Sequence, residues 1–302
     1  MVNKTALIFD VQRFCLFDGE GIRTTVFFKG CPLRCAWCCN PESQSPAPEL
    51  LIKPSPACAS CGVCLSACGE GALSLGERGV RADLSRCTFC GRCESLCGFD
   101  RIRTTGKAYT VDEVTEIILR DRDYFADSRG GVTLSGGEVA AQADFALALT
   151  DRLRAEGIGV TLETCGFAEP SSFLRLAERA ERVYFDVKLL DEAEHIRYTG
   201  QSNKLILANL REAAKLTEVV VRVPLIPGVN LSGVFAAELA AFLAPLPVSG
   251  IELLPYHRLG LGKYRELGRA CSLADTPLAS REENRAFFET LKKQTDKPVR
   301  FR

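Results

Sequence analysis

The sequence predicts an α/β protein, in which a parallel sheet is interrupted near the N-terminal end by a cysteine-rich insert. Two observations predict this fold class. From about residue 107 onward, short apolar segments of strand type alternate with longer segments of helical periodicity. Twelve of the fifteen cysteines lie between Cys31 and Cys97. Strands that alternate with helices of about 10–15 residues are typical of βαβ units, so the cysteine-rich part interrupts an otherwise regular sheet.

The alternation can be followed element by element. Six segments have the short apolar character of strands, at 23–30, 131–135, 159–163, 182–188, 218–224 and 251–255. Apolar residues at spacings of three and four predict helices between and after them, at 111–121, 139–155, 171–180, 205–216, 235–243 and 281–293. The insert lies between the first strand and the first helix.

The composition excludes some classes of protein. The chain of 302 residues has 38 Lys+Arg and 38 Asp+Glu, so its formal charge is zero. A balanced charge argues against nonspecific binding to nucleic acid or to a membrane surface. No apolar run is long enough to span a bilayer, and the first residues, MVNKTALIFD, reach an acid too early for a signal peptide. We therefore expect a cytoplasmic protein whose cysteines are reduced and bind metal.

Two segments of the insert form a repeat. CASCGVCLSAC and CTFCGRCESLC both read Cys-x2-Cys-x2-Cys-x3-Cys, and they are offset by 29 residues. One zinc site could use two of the Cys-x2-Cys pairs, but it would leave half of these cysteines unexplained. The full pattern resembles that of a bacterial two-cluster ferredoxin, in which the fourth cysteine of each run ligates the other 4Fe-4S cluster. The resemblance implies two ligand sets, Cys58, Cys61, Cys64 with Cys97, and Cys87, Cys90, Cys93 with Cys68. Gly69 and Gly98 stand where that pattern has proline.

A different cysteine pattern stands in GCPLRCAWCCNPES, residues 30–43. Cys31, Cys35 and Cys38 follow Cys-x3-Cys-x2-Cys, which supplies three thiolates for a four-iron cluster and leaves one iron without a protein ligand. An open position is typical of a catalytic metal site. The spacing, after the strand RTTVFFKG, resembles the radical S-adenosylmethionine (SAM) superfamily, in which SAM binds the open iron. By this resemblance Cys39 is a neighbour whose side chain points elsewhere, and its backbone lies with Trp37 near the adenine.

The resemblance narrows to one group within that superfamily. The N-terminal stretch with Asp18-Gly19-x-Gly21-x-Arg23 is similar to the glycyl-radical enzyme activating enzymes, which include pyruvate formate-lyase activase. The resemblance to these activating enzymes covers nearly the whole chain and implies a partial, TIM-like (β/α)6 barrel. The expected parts are 1–48 for the first part of the core, 49–106 for the ferredoxin-like insert and 107–302 for the rest of the barrel.

The predicted strands end in polar residues. In parallel barrels the chemistry gathers at these C-terminal ends. By the resemblance the SAM-contacting residues include Gly136, Gly137, Glu138, Glu163, Asp186, Val187, Lys188, Arg222 and His257. Glu138 would accept from the amino group of SAM, Arg222 would bind its carboxylate, and Lys188 with Asp186 would lie near the carboxylate and ribose. Glu163 and Asp186 are also candidates to hold a monovalent cation.

The resemblance implies a function for the whole assembly. One electron from a flavodoxin or ferredoxin passes through two insert clusters to the third, SAM is cleaved to a 5′-deoxyadenosyl radical, and the radical takes hydrogen from a glycine of a partner glycyl-radical enzyme. An insert that only docks the partner or tunes a potential is an alternative. The competing functions are a radical SAM enzyme with a small-molecule substrate, a ferredoxin-type electron carrier and a zinc-stabilised interaction protein.

Four residues have no assigned role in this interpretation. His195, in DEAEHIRYTG, is expected on a solvated helix face. Cys165 and Cys271 are expected to be free core or loop thiols, and Cys15 is unassigned.

Overall fold

The computed structural model describes residues 4–54, 58, 60–77 and 79–302. The strands are β1 (Thr5–Cys15), β2 (Arg23–Phe28), β3 (Glu49–Ile52), β4 (Leu73–Gly76), β5 (Gly79–Ala82), β6 (Ile102–Thr105), β7 (Lys107–Thr110), β8 (Gly131–Gly136), β9 (Val160–Thr164), β10 (Arg182–Asp186), β11 (Glu218–Leu225), β12 (Gly250–Pro255) and β13 (Val299–Phe301). The helices are α1 (Val63–Ala67), α2 (Arg92–Ser95), α3 (Val111–Leu119), α4 (Arg122–Ser128), α5 (Ala143–Ala155), α6 (Pro170–Arg179), α7 (Glu192–Thr199), α8 (Lys204–Leu216), α9 (Gly233–Leu243), α10 (Leu261–Glu266) and α11 (Arg281–Lys292).

The central sheet is open and mostly parallel. Its order is β13-β12-β11-β10-β9-β8-β2-β1-β7. The strands from β2 through β8 to β13 are parallel neighbours, whereas β1 pairs antiparallel with both β2 and β7. The six strands expected from the sequence are β2 and β8 to β12, and they stand side by side in that order, which confirms the predicted parallel α/β architecture. The sequence did not predict β1, β7 or β13.

The two faces of this sheet differ in character. Because side chains alternate along a strand, one face presents apolar residues to the helices. Phe28 of β2 packs on Phe145 of α5, and Phe185 of β10 packs on Phe173 of α6, with ring centroids 5.9 Å apart in both pairs. The opposite side, here called the polar face, is formed by Thr133, Ser135, Thr161, Glu163, Tyr184, Arg222 and Glu252. A polar face on a buried sheet suits a binding surface better than a core.

The insert has its own small core and an internal repeat. β3 pairs with β6 and β4 with β5, both antiparallel, around a core of Leu50, Cys64, Leu73, Val80 and Ile102. Left-handed backbone recurs at the repeat offset: Ser60 and Phe89 have φ of 52° and 53°, and Gly62 and Gly91 have φ of 75° and 73°. The sequence repeat is therefore also a repeat of backbone conformation.

Within the described ranges, no helix combines the length and the apolar composition that a bilayer span requires.

Candidate functional site

The sequence-predicted site residues meet at one edge of the central sheet. Parallel strands place their carboxyl ends together, and ligands of open α/β sheets bind there. Gly136 ends β8, Asp186 ends β10 and His257 follows β12, while the cysteine loop begins directly after β2. The topology therefore brings the Cys31–Cys38 loop to the same edge as the polar strand ends.

The Gly-Gly-Glu segment after β8 supports the start of the cysteine loop. Gly137 N donates to Phe28 O at 2.8 Å, and Glu138 N donates to Gly30 O at 2.9 Å. A Cβ atom on Gly137 would lie 2.3 Å from Gly30 O, so a larger residue would displace the loop. This contact gives a physical reason for glycine at position 137.

The carboxylate of Glu138 is enclosed by protein donors. The residue is fully buried. It accepts from Ala140 N at 3.0 Å, from Thr164 Oγ1 at 2.8 Å, and from the backbone N of Cys165 at 2.9 Å and of Gly166 at 3.2 Å. The Glu138 carboxylate, which was expected to accept from the amino group of SAM, is thus hydrogen-bonded to residues at the ends of β8 and β9. The structure gives Glu138 a positioning role at these two strand ends.

Helix α7 holds the other side of the cysteine loop. Arg34 N donates to Thr199 O at 2.7 Å, and Ala36 N donates to Tyr198 O at 2.9 Å. The ring of Tyr198 also approaches Trp37, with centroids 6.2 Å apart. These contacts position the backbone on both sides of Cys35.

The expectation that His195 lies on a solvated helix face is wrong. His195 is 1% exposed, because this face of α7 packs behind the cysteine loop. Its Nδ1 lies 2.6 Å from Gln201 O and 3.0 Å from Thr199 Oγ1. The side chain of Gln201 donates to Pro32 O at 3.3 Å. His195 therefore stabilises the turn after α7, which contacts the cysteine loop.

A third support comes from the segment after β12. Gly260 packs so tightly on the loop that a Cβ atom there would lie 2.8 Å from Cys39 Cα. A small pocket beside it is lined by Trp37, Cys38, Cys39, Tyr256, His257, Arg258, Gly260, Leu261, Tyr264 and Cys271. The structure thus brings together Trp37, Cys39 and His257, which the sequence assigned to the SAM site, and Cys38, which it assigned both to the cluster and to SAM. Cys271 is a loop thiol, as expected, with Sγ 3.7 Å from Ala36 O.

Lys188 provides positive charge close to the loop thiols. Its Nζ lies 2.8 Å from Asp186 Oδ2. Burial opposes the charge, but Asp186 and the nearby thiols of Cys35 and Cys165 outweigh it and hold the pKa of Lys188 well above its usual value. Burial raises the pKa of the Cys35 thiol to about 11. A buried ammonium beside thiols can offset the negative charge that ligating thiolates bring.

Cys165 is the core thiol that the sequence predicted, and it contacts the cysteine loop. Its Sγ lies 3.0 Å from Glu138 Oε2. A hydrogen bond from Cys165 lowers the pKa of Cys31, and burial opposes that shift. Cys165 thus links the strand end of β9 to the first cysteine of the loop.

Arg222 lies at the centre of the polar face. Its Nε donates to Glu252 Oε2 at 2.9 Å, and its Nη1 pairs with Glu163. The guanidinium carbon lies 3.6 Å from the ring centroid of Tyr184, which is a cation–π contact. Its Nη2 is buried and has no hydrogen-bond partner among the described residues. That nitrogen is available to a carboxylate that enters the site.

The eight cysteines of the insert surround two cavities. The inner cavity is lined by Cys68, Cys87, Cys90 and Cys93 together with Leu50 and Leu73. The outer cavity is lined by Cys58, Cys61, Cys64 and Cys97 together with Val63, Leu96, Phe99 and Arg101. Each cavity therefore collects three cysteines of one run and the fourth of the other, the two sets that the sequence predicted.

Backbone amides point at these thiols in matching positions. Ser60 N lies 3.4 Å from Cys58 Sγ, and its repeat partner Phe89 N lies 3.4 Å from Cys87 Sγ. Ala72 N and Arg101 N approach Cys68 and Cys97 at 3.3 and 3.4 Å. Such N–H to sulfur contacts tune iron–sulfur centres. In the part of the chain described, no three Cys, His, Asp or Glu side chains converge on a single metal ion; the thiols are spaced around cavities instead.

Some contributors to the site were missed by sequence reasoning. Glu252 was predicted only as part of a strand, although it alternates with the core residues Ile251 and Leu253 and therefore lies on the opposite, polar face. Tyr184 and Gly260 carried no local signal, because their partners are distant in the sequence. Cys165 follows the predicted strand at 159–163 by two residues, but spacing along the sequence does not indicate that its thiol lies beside Cys31.

Comparisons with known proteins agree with this geometry. The profile of the Radical SAM superfamily matches residues 84–238, and that of the 4Fe-4S dicluster domain matches residues 57–100. A solved radical SAM methyltransferase from Sphaerobacter thermophilus superposes with a TM-score of 0.55 at 18% identity, over 98% of this chain and 76% of that chain. At this identity the likeness shows the fold alone.

Curated relatives match over nearly their full length. The choline trimethylamine-lyase activating enzyme of Oleidesulfovibrio alaskensis is 39% identical over 288 residues, which are 93% of each chain. The trans-4-hydroxy-L-proline dehydratase activating enzyme of Clostridioides difficile is 40% identical over 265 residues, 86% of this chain and 87% of the relative.

Proposed function

This chain belongs to the radical SAM superfamily and, within it, to the activating enzymes of glycyl-radical enzymes, and from that premise we propose which of its residues carry the activation. The protein is an enzyme that carries iron–sulfur clusters and uses SAM. Reductive cleavage of SAM gives a 5′-deoxyadenosyl radical, which takes a hydrogen atom from a glycine of the partner enzyme. The cofactors supply this chemistry, while the protein supplies binding, orientation and exclusion of water.

The proposed architecture is a partial (β/α)6 barrel with a two-cluster insert. It is supported by six neighbouring parallel strands in an open sheet and by a polar face opposite the helices. The proposed parts are 1–48, 49–106 and 107–302. The pairing of β3 with β6 near the two ends of the insert supports these boundaries. An open sheet leaves room for a loop of a protein partner.

The proposed ligands are eleven cysteines for three 4Fe-4S clusters. Cys31, Cys35 and Cys38 hold the cluster that binds SAM, and the two cavities of the insert hold the others. The fit is supported by the grouping of the eight insert cysteines around two cavities and by amides that point at four of the sulfurs. We assign the insert to electron transfer from a flavodoxin or ferredoxin.

The proposed SAM site lies between the cysteine loop and the polar strand ends. Arg222 binds the carboxylate, since its Nη2 is buried and unpartnered among the described residues. Gly136 and Gly137 offer backbone at close range, while Glu138 orients the turn. Lys188 and Asp186 face the carboxylate and ribose. Trp37, the Cys39 backbone and His257 surround the adenine, and Val187, whose N donates to Arg222 O at 2.9 Å, completes the β10 end.

Two features together support the assignment of the SAM site. Three cysteines in Cys-x3-Cys-x2-Cys spacing follow β2, and an arginine whose buried Nη2 has no partner among the described residues lies on β11 of the same sheet, level with Asp186 at the end of β10. The cysteines alone would suit a small electron carrier, and the arginine alone would suit any carboxylate ligand. Together they match a site that binds SAM at a cluster.

A monovalent cation beside Glu163 and Asp186 is a separate part of the proposal. Glu163 pairs with Arg222 and Asp186 with Lys188, so a cation would share carboxylates that already have cationic partners. The test is SAM binding in KCl and in tetramethylammonium chloride at equal ionic strength. Weaker binding without K+ is expected; equal binding would assign both carboxylates to the ion pairs alone.

The proposed partner is a glycyl-radical enzyme, defined as a class of protein. The relatives above are named for different lyases and dehydratases, yet their identities to this chain are 39% and 40%. The proposal is therefore restricted to a glycyl-radical enzyme as partner.

The test of the SAM-binding cluster uses adjacent cysteines as matched variants. The anaerobically reconstituted protein should contain about twelve irons, and dithionite should drive release of 5′-deoxyadenosine from SAM. Cys38→Ala should lose about four irons and abolish cleavage. Cys39→Ala should retain the iron and most of the activity. Loss of activity in Cys39→Ala with Cys38→Ala unaffected would overturn the ligand assignment.

A further inference from the structure

The two cavities of the insert lie at different distances from the rest of the protein. The inner cavity touches Leu50 of β3, and the outer cavity touches Ile102 of β6, which is paired with Ile52. At a rise of about 3.3 Å per residue, two residues along β3 correspond to about 7 Å. The cavities are thus displaced from one another along the β3–β6 ribbon.

The inner end of this ribbon is the one attached to the central sheet. Glu49, next to Leu50, accepts from Lys29 at the end of β2 at 2.8 Å and also pairs with Arg269. At the opposite end, Lys53 pairs with Asp100 at 2.7 Å on the surface. An electron that travels from the surface of the insert toward the cysteine loop would therefore meet the outer cavity first.

The outer cavity has an exposed apolar rim. Val63, Leu96 and Phe99 all line it, and they are 46%, 50% and 52% exposed. The apolar residues that line the inner cavity include Leu50 and Leu73, which are buried. Contiguous apolar side chains on a surface mark interaction sites, and these three directly surround a cavity assigned to a redox centre.

Positive charge flanks this rim. Lys53, Arg101 and Arg103 all lie close enough to Asp100 to lower the pKa of its carboxyl, with the Lys53 hydrogen bond the largest cause. Arg103 also lies 4.0 Å from the carboxylate of Glu42, so Lys53 and Arg101 are the two cations that outweigh Asp100 at the rim. Such a surface attracts an acidic partner and speeds its association at low salt.

We propose that the outer-cavity rim of Val63, Leu96 and Phe99 is the docking site of the protein electron donor, a small acidic one-electron carrier. The inference rests on the proposed electron-transfer role of the insert and specifies where the electron enters. The donor is oxidised by one electron and the insert is reduced by one electron, with no bond made or broken. A small apolar rim with flanking charges is in keeping with the limited, transient interfaces of redox partners.

The experiment compares a protein donor with a small-molecule reductant. The reconstituted full-length protein is mixed in a stopped-flow instrument with a purified bacterial flavodoxin in its hydroquinone form, or with a reduced two-cluster ferredoxin, and bleaching of the iron–sulfur absorbance is followed. Leu96→Ser and Phe99→Ser should lower the second-order rate constant at least about tenfold, a loss of about 1.4 kcal/mol in encounter stability. Reduction by dithionite should change less than about twofold, because it needs no docking surface.

Leu84→Ser is the matched control. Leu84 is 49% exposed and also lies in the insert, but it lines neither cavity. It should leave both rates unchanged. Equal rates for Leu84→Ser, Leu96→Ser and Phe99→Ser would overturn the proposal, as would variants that weaken binding of the glycyl-radical enzyme and not of the donor.

A second variant guards against damage to the cluster. If Leu96→Ser loses iron, Lys53→Glu decides, since it reverses a surface charge beside the rim at a residue that lines neither cavity and is not adjacent to a cysteine. If the variant lowers the rate constant for flavodoxin but that rate constant does not depend on the salt concentration, the proposal that the donor is acidic would be contradicted. Failure of dithionite to release 5′-deoxyadenosine in the unmodified protein would instead reject the proposed function, so the two failures are distinguishable.

Discussion

Arg222 and Glu252 form a buried ion pair on the polar face of the sheet, with Nε 2.9 Å from Oε2. Glu252 is fully buried and also accepts from Arg300 at 2.6 Å. It therefore sits between the arginine proposed to bind SAM and the edge strand β13. The pair fixes the orientation in which the free Nη2 of Arg222 is presented.

Replacing Glu252 should disturb both stability and SAM binding. Removing one member of a buried pair costs about 3 kcal/mol, so Glu252→Gln should melt about 6 °C lower. It should also weaken SAM binding about tenfold, the equivalent of about 1.4 kcal/mol. Thermal denaturation and equilibrium binding of SAM check these values.

Glu218→Gln is the control for this prediction. Glu218 pairs with Arg182 at 3.0 Å, but its side chain is exposed, and such surface pairs contribute about 1 kcal/mol or less. If Glu252→Gln behaves like Glu218→Gln in both assays, Glu252 does not position Arg222.

The grouping of the insert cysteines can be tested by paired substitutions. Cys58→Ser with Cys97→Ser removes two cysteines of the outer cavity, so about eight of about twelve irons should remain. Cys58→Ser with Cys68→Ser removes one cysteine from each cavity, so about four irons should remain. The reverse result would mean that each run of four cysteines holds its own cluster.

The packing of Gly260 against the cysteine loop predicts a strong effect of a single methyl group. In Gly260→Ala the new Cβ would lie 2.8 Å from Cys39 Cα and 3.1 Å from Cys38 O. The loop must shift, and a misplacement of about 1 Å can lower a catalytic rate about 100-fold. SAM cleavage driven by dithionite is the measurement.

Gly262→Ala provides a matched control on the same segment. Nothing lies within 4 Å of a Cβ atom at Gly262, so the activity should remain within about twofold of the unmodified protein. Equal activity of the two variants would show that the cysteine loop is not held by residue 260.

His195 should make the protein less stable at mildly acidic pH. Burial lowers the pKa of His195 below its usual value, and the charge of Lys188 lowers it further. The unfolded chain takes up a proton near pH 6.5, whereas the folded state resists protonation. The stabilisation is therefore present above about pH 6.5 and is lost as the pH falls below it.

Melting temperatures between pH 8 and pH 6 test this effect. The decrease on acidification should be smaller in His195→Gln, and that variant should be about 1 kcal/mol less stable at pH 8, because the bond to Gln201 O is weakened. An identical pH dependence in the protein and in His195→Gln would assign the decrease to other groups.

Local patterns in the sequence were sufficient for much of the site. The period of apolar residues predicted the six central strands, because alternation along a strand depends only on neighbouring residues. The cysteine spacing resembles that of a two-cluster ferredoxin, and this resemblance implied the two groups of four cysteines that line the two cavities. The positions of the polar residues at the strand ends could be predicted from the same strand boundaries.

Long-range contacts were decided by the tertiary structure. Gly260 meets Cys39 across more than 200 residues, and Arg222 of β11 meets Glu252 on the neighbouring strand β12 and Glu163 on β9, two strands away. His195 is buried because α7 packs behind the cysteine loop, which the polar sequence around it did not indicate. By itself the sequence determined which residues could ligate clusters and which segments could form strands. Only the folded chain determined which charges pair, which glycines have no space and which histidine is buried, since burial and pairing depend on segments that are remote in the sequence.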